Sequence, residues 1–282
     1  MSETELGWLS PNALDAARAE YDRDVHAFNG DVAAPDEVVD GVRIYSGKAA
    51  TPRPGAIAVI HGGGFVVGRP DHMDRLCEDW ATAFGVDCAS LAYPLAPEAR
   101  AEAQLEACAR GFELFLERRE THGPVVLVGD SAGGGLAAGL ALRLGRSRIQ
   151  AVCLIQPMLD PRTRSAPDEV GMSWTASDNR FGWSSRLGPE AYADPDGLSP
   201  EIAPALAEDL SGFPACWIGI GTRDLFLGES LELARRIAQS GGDVTLRTYP
   251  DAVHAFQRLD AGSAAARRYE EDRDRWIGAR LG

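Results

Sequence analysis

From about residue 56 the chain alternates short apolar, β-branched runs with longer stretches in which apolar residues recur at three- and four-residue steps. The first pattern suits a strand buried on both faces, and the second gives a helix one apolar face. Strands are predicted at Ala56–Ile60, Cys88–Leu91, Val125–Val128, Ala151–Ile155, Ala215–Ile220 and Val244–Tyr249. Helices are predicted near 71–84, 98–119, 132–144, 229–240 and 263–280. In the second of these, Ala101, Leu105, Cys108, Phe112 and Phe115 form one face, with Arg118 and Arg119 away from it. Strands alternating with helices build an α/β fold: a mostly parallel central sheet with helices on both faces, joined by right-handed crossovers.

Two stretches break this rhythm. The first forty residues carry a helical pattern around Ala13 to Phe28, headed by Ser10-Pro11 as cap and first-turn proline. Between Ile155 and Ala215 lie some sixty residues with eight prolines and the aromatics Trp174, Phe181, Trp183 and Tyr192. That is too long for an ordinary crossover, and long insertions in compact domains are commonly lids or binding loops. The expectation is one domain over 1–282, with a helical cap contributed by about 1–40 and about 157–212. Whether the four aromatics form cap core or substrate wall is open at this level.

The composition, 45% hydrophobic and 25% charged, is that of a globular protein and excludes disorder and fibrous repeats. With 28 basic and 42 acidic residues the net charge is −14, which repels nucleic acid and anionic membrane surfaces. Lys48 is the single lysine, so P-loop or Schiff-base chemistry would rest on one loop residue. The five cysteines, 77, 88, 108, 153 and 216, include no C-x-x-C pair and sit mostly among apolar neighbours, as buried thiols of a reducing compartment do. The start, Met1 to Glu5, has neither a basic nor an apolar leader region, and no apolar run approaches a membrane span. A cytoplasmic protein is expected, without cofactor or metal. His26, His72 and His122 read as surface or cap residues, since none has a partner at metal-ligand spacing.

The chemistry is carried by two glycine motifs. Gly129-Asp130-Ser131-Ala132-Gly133 fits G-x-S-x-G, in which flanking glycines let a strand turn sharply into a helix and leave the serine at the bend. Such a match arises roughly 0.2 times by chance in this composition, so context matters. It directly follows Val125–Val128 and directly precedes an apolar helical run. His61-Gly62-Gly63-Gly64-Phe65 follows the strand at Ala56–Ile60 and is expected by chance only roughly 0.007 times. Successive glycines leave backbone N–H groups unobstructed, as a hole for a tetrahedral oxyanion requires. Gly63, Gly64 and Ala132 are the candidate donors. The run from Gly133 to Ala138 nominally fits a dinucleotide motif but lacks an acidic residue at ribose distance.

A serine hydroxyl needs a base, and the base needs an acid to hold its tautomer. Downstream of Ser131 the one histidine is His254, just past the strand Val244–Tyr249. Asp224 sits likewise just past Ala215–Ile220. Asp251 and Asp209 compete as the acid, the first only three residues from His254 and the second within the cap. Ser131, Asp224 and His254 thus follow three strands on one edge of the sheet, where parallel sheets gather ligands.

These residues resemble the hormone-sensitive-lipase-like esterases of the α/β-hydrolase fold, whose hallmarks are H-G-G-G, then G-D-S-A-G, then an aspartate and a histidine after the last two strands. His61 to Phe65, Gly129 to Gly134, Asp224 and His254 match in order, and the likeness covers about 56 to 280. Tyr93-Pro94-Leu95-Ala96-Pro97-Glu98 is close to the family's Y-R-L-A-P-E, with Pro94 in place of arginine, and Leu225-Phe226 replaces the usual proline and leucine. The resemblance implies a serine carboxylesterase acting on short- to medium-chain esters, with Ser131, Asp224 and His254 as its triad. It also implies that His61 supports the loop by hydrogen bonds rather than carrying protons. A homodimer through the edge near Val244–Tyr249 is suggested. Two other readings share the scaffold: a dehydratase-type lyase, and a small-molecule receptor of the kind that has lost the triad histidine. The presence of His254 favours an enzyme.

Overall fold

The computed structural model describes residues 8–49, 53–119, 122–163 and 173–282. Met1 to Glu5 and residues 164–172 of the long insertion lie outside the described residues. Among the described residues, strands β1 (Glu37–Val39), β2 (Val42–Tyr45), β3 (Ala56–Ile60), β4 (Asp87–Leu91), β5 (Val125–Asp130), β6 (Ala151–Ile155), β7 (Ala215–Gly221) and β8 (Val244–Tyr249) form one sheet. Its spatial order is β1-β2-β4-β3-β5-β6-β7-β8. Every pairing from β4 through β8 is parallel, while β1 and β2 add an antiparallel edge.

The six strands expected from the apolar runs are present, extended by one or two residues in three cases. In β3 to β7 the hydrophobicity follows from burial on both faces, whereas the edge strand β8 is only partly buried. In β3, Ala56, Ala58 and Ile60 join one core cluster while Ile57 and Val59 join another, and all five are fully buried. Each fully buried Ile or Val there contributes about 1.5–3 kcal/mol. The first cluster is closed by α3 (Ala101–Arg118), α4 (Ala132–Leu144) and α7 (Leu227–Gln239), through Phe112, Leu136 and Leu233. The second is closed by α2 (Asp74–Phe84) and α9 (Ala264–Gly278), through Trp80, Tyr269 and Trp276.

The sheet therefore begins before residue 56, at Glu37. The strands β1 and β2 are three and four residues long, too short to stand out as apolar runs, and β1 lies on the partly exposed edge. Their link is Asp40-Gly41, both at positive φ (47° and 79°), the hairpin geometry that this dipeptide favours. The first helix, α1 (Leu14–Asn29), starts later than expected. Its N-cap is Ala13, without a side-chain cap, and the Ser10 carbonyl instead accepts from the Ala13 N–H in a preceding turn.

Topology positions the site. From β3 the chain goes outward to β4 and then returns to the other side of β3 as β5, so the direction of winding reverses between β3 and β5. A crevice opens at such a reversal, outside the carboxyl ends of the strands. The loops after β3, β5, β7 and β8 all reach that edge.

Candidate active site

Ser131 links β5 to α4 at φ 52° and ψ −112°, a conformation that costs a non-glycine residue about 1–3 kcal/mol. Its surroundings hold it there. The Ser131 N–H donates to the Ile155 carbonyl at 2.8 Å, and its own carbonyl accepts from Gly134 and Met158 at 2.9 and 3.0 Å. The neighbouring chain is so close that only glycine fits at 129 and 133: a Cβ on Gly129 would lie 2.2 Å from the Gly133 carbonyl oxygen, and one on Gly133 2.2 Å from that of Ile60.

The bend aims Ser131 at His254. Ser131 Oγ lies 3.0 Å from His254 Nε2, and His254 Nδ1 lies 2.8 Å from Asp224 Oδ2. The other Asp224 oxygen accepts from the Phe226 N–H at 2.9 Å. All three side chains are buried. Asp251 and Asp209, the competing acids, are exposed, and Asp209 caps its own turn by accepting from the Ser211 N–H. Burial disfavours the His254 imidazolium, but the Asp224 charge and hydrogen bond together outweigh it, so the net shift is upward. A base held in this way accepts a proton more readily than a free histidine.

The loop after β3 brings Gly63 and Gly64, at φ 113° and 56°, to the same cleft as Ser131 and His254. Among the described residues neither N–H donates to a backbone carbonyl. Ala132 is the first residue of α4, and its N–H is one of those that a helix leaves unpaired. His61 is buried, its Nδ1 donates to the Gly62 carbonyl at 2.8 Å, and its ring stacks on Tyr93 at 4.2 Å. Tyr93 Oη in turn donates to the His61 carbonyl at 3.1 Å. Burial drives the His61 pKa down to about 3, which keeps its ring neutral.

Several residues that support this geometry have no local sequence signal. Gln156, just after β6, is fully buried; its Oε1 accepts from the Ala255 N–H at 2.5 Å and its Nε2 donates to Gln257 at 2.9 Å, fixing the turn behind His254. Ser173 donates its hydroxyl to the His254 carbonyl. Glu229, buried in α7, accepts from the Leu159 N–H at 2.6 Å and the Thr163 hydroxyl at 2.5 Å, and burial pushes its pKa well up. It pins the start of the long insertion to α7.

That insertion forms α5 (Ala176–Leu187) and the short α6 (Pro189–Ala193). Its aromatics divide between two roles. Trp183 is fully buried against Phe65 at 5.0 Å, whereas Trp174 lines the cleft, 6.4 Å from the His254 ring. The cleft has a volume of about 740 Å³, and its opposite wall includes Tyr21, Val25 and Phe28 of α1. The five cysteines are free and buried, as their apolar neighbours suggested. Among the described residues no helix is long and apolar enough to cross a membrane.

His72 is buried rather than superficial, and the fold brings it to His26 although 46 residues separate them, with ring centres 5.2 Å apart. Together with Asp22 they place three ligating atoms within 4.8 Å of one another, which sequence spacing did not anticipate. The set is already satisfied by its own contacts: His72 Nε2 lies 2.9 Å from Asp22, His26 Nδ1 bonds the Asp22 carbonyl, and the Arg69 guanidinium lies 3.7 Å from Asp22.

Comparison with known proteins agrees with this architecture. A family model described as the alpha/beta hydrolase fold matches residues 57–258. The ethyl acetate hydrolase of Pseudomonas putida is 28% identical over 275 residues, covering 89% of this chain and 86% of that protein. The carboxylic ester hydrolase LipN of Mycobacterium tuberculosis is 30% identical over 239 residues, 78% of this chain and 62% of its own. Among solved structures, a bacterial heroin esterase superposes with a TM-score of 0.84 at 28% identity, over 96% of this chain and 93% of that one. The chain belongs to the alpha/beta hydrolase fold family, among its hormone-sensitive-lipase-like esterases.

Proposed function

We propose that this carboxylic ester hydrolase works through a Ser131 acyl-enzyme. The observation that carries the reading is the unbroken hydrogen-bonded line from Ser131 through His254 to Asp224. His254 Nε2 takes the proton of Ser131 Oγ as the oxygen attacks the ester carbonyl, and Asp224 holds the tautomer and stabilises the imidazolium. The Gly63, Gly64 and Ala132 amides receive the oxyanion, and each such donor lowers the barrier by about 2.7–4 kcal/mol. Collapse expels the alcohol, protonated by His254. Water, deprotonated by the same imidazole, then attacks the acyl-enzyme, and release of the acid restores Ser131.

Short- to medium-chain neutral esters are the proposed substrates. A cleft of 740 Å³ has the size of small-molecule sites, and the relative named for ethyl acetate makes acetyl esters the first to try. Five buried free thiols suit a reducing cytoplasm, and β8 leaves an open sheet edge at which a second copy could pair. A p-nitrophenyl phosphonate is expected to label Ser131 and stop turnover of p-nitrophenyl acetate. Ser131→Ala is expected to lose about 10⁶-fold in kcat. Labelling at another residue, or activity that survives Ser131→Ala, would overturn the assignment.

A further inference from the structure

The oxyanion loop is held partly by itself, the Gly63 carbonyl accepting from the Val66 and Val67 N–H groups at 3.0 and 2.9 Å, and partly by its surroundings. Gly63 and Gly64 are followed by Phe65 at φ 69°, a bulky residue in the left-handed region. Such a run persists only where its surroundings over-determine it. Two tethers come from the body of the fold: the Phe65 carbonyl accepts from the Ala96 N–H at 2.9 Å and from Gln104 Nε2 at 3.2 Å. A third comes from α1. Arg18 Nε donates to the Val66 carbonyl at 2.9 Å, and Nη2 donates to the Ala96 carbonyl at 3.0 Å. Its two terminal nitrogens also hold the two oxygens of Glu98, each at 2.7 Å. One planar fork thus grips the exit of the loop and the segment that tethers Phe65.

We infer that Arg18 is a positioning residue for the oxyanion hole, through which helix α1 sets the placement of the Gly63 and Gly64 amides. This rests on the esterase reading above. The ion pair as such contributes little, because Glu98 is 61% exposed. What matters is the pair of carbonyl bonds made by a rigid guanidinium, a geometry that the single point charge of lysine does not reproduce. The same helix walls the cleft with Tyr21, Val25 and Phe28, so the element that meets substrate also steadies the hole. Loss of Arg18 removes no reacting group. It frees the loop to drift, and a misplacement of about 1 Å costs about 10²-fold in rate. The hole binds the tetrahedral intermediate more tightly than the ester, so the loss falls on kcat and not on KM.

The test uses the full chain with p-nitrophenyl acetate, comparing wild type, Arg18→Ala, Arg18→Lys and, as a control, Arg118→Ala, which removes an exposed arginine paired with Glu37. Each kcat is expressed per site titrated with the phosphonate, so that partial unfolding does not count as slow chemistry. Arg18→Ala is expected to lower kcat about 10- to 100-fold with KM within about threefold, Arg18→Lys to recover little of it, and Arg118→Ala to match wild type. Affinity for phenylboronic acid, which mimics the tetrahedral state, falls by the same factor as kcat. A kcat per titrated site within about threefold of wild type, whatever the fall in Tm, makes Arg18 a mere staple of the cap and overturns the inference. Should Arg18→Ala not fold, Arg18→Lys decides by the same criterion. A wild type that neither turns over nor is labelled at Ser131 would instead count against the esterase reading itself.

Discussion

The carboxyl edge of the sheet and the cap that covers it are built by different rules. At the edge, Ser131, Asp224 and His254 each stand within a few residues of a parallel strand, and their side-chain hydrogen bonds run to one another or to local backbone. In the cap, Trp174, Trp183 and Arg186 are held by partners far away in the chain. Arg186 is fully buried, donates to Gln104 at 3.2 Å and to the Ile202 carbonyl at 2.8 Å, and lies over the Phe65 ring at 4.1 Å. Burial pulls its pKa down to about 10, against a smaller upward pull from Tyr93, Cys108 and Glu102. On the proposed function the edge carries the chemistry on its frame of strands, whereas the insertion packs as a shell that shapes access. Changes at the edge should act on kcat, and changes in the cap on KM and substrate preference.

The largest effect left to test is at the acid. Asp224→Asn is expected to lower kcat about 10⁴-fold, because an amide no longer holds the tautomer that makes Nε2 a base. It also carries a pH signature. The Asp224 charge and hydrogen bond lift the His254 pKa above its ordinary 6.5 against the opposing effect of burial. The base works only when neutral, so the acid limb of kcat/KM in the wild type lies above 6.5. Without the charge, burial dominates, and the acid limb of the residual activity moves to lower pH. A pH–rate profile checks this; a limb that stays in place would mean that Asp224 is not what sets the base.

The contrast also explains what was legible in the sequence. Strands β3 to β7 announce themselves because burial on both faces writes an apolar run, and the two glycine motifs are local because a tight turn and an open amide are local needs. Ser131, Asp224 and His254 followed from chain order and from the scarcity of histidines. The hairpin of β1 and β2 was hidden by its shortness, although Asp40-Gly41 was a usable turn signal. Arg18, Gln156, Glu229 and Arg186 could not be found in this way. Each is a polar residue whose role depends on a partner 40 or more positions away or on a buried turn, and in a linear pattern it looks like any surface side chain. The pairing of His26 with His72 is invisible in the linear pattern for the same reason: the two rings meet across the fold and not along the chain.

A smaller effect is expected where the two regions touch. A Cβ on Gly64 would lie 2.1 Å from the Trp174 ring, and the residue is at φ 56°. Gly64→Ala must therefore shift the loop or the indole, and displacing one amide donor is expected to lower kcat about 10²- to 10³-fold with KM little changed. If the clash is the cause, Gly64→Ala combined with Trp174→Ala recovers part of the loss, and steady-state kinetics on the three variants would show it. No recovery would place the whole effect in the backbone strain of the left-handed alanine.

Trp174→Ala alone is expected to have the mildest effect on the chemistry and the clearest effect on choice of substrate. Among the described residues the indole Nε1 has no hydrogen-bond partner, so the substitution removes packing and none of their polar contacts. The side chain lies over Gly64 and beside His254, where it narrows the cleft next to the reacting carbonyl. Its loss leaves the line from Ser131 to Asp224 intact and opens room for longer acyl or alkoxy groups. With p-nitrophenyl esters of increasing acyl length, kcat on the acetate is expected to stay within about tenfold while the preferred chain grows longer and KM for the shortest ester rises a few-fold. If instead kcat falls evenly across the series by about 10²-fold or more, Trp174 is holding His254 or the Gly64 amide in place, and the division between a catalytic edge and a shaping cap fails at this residue.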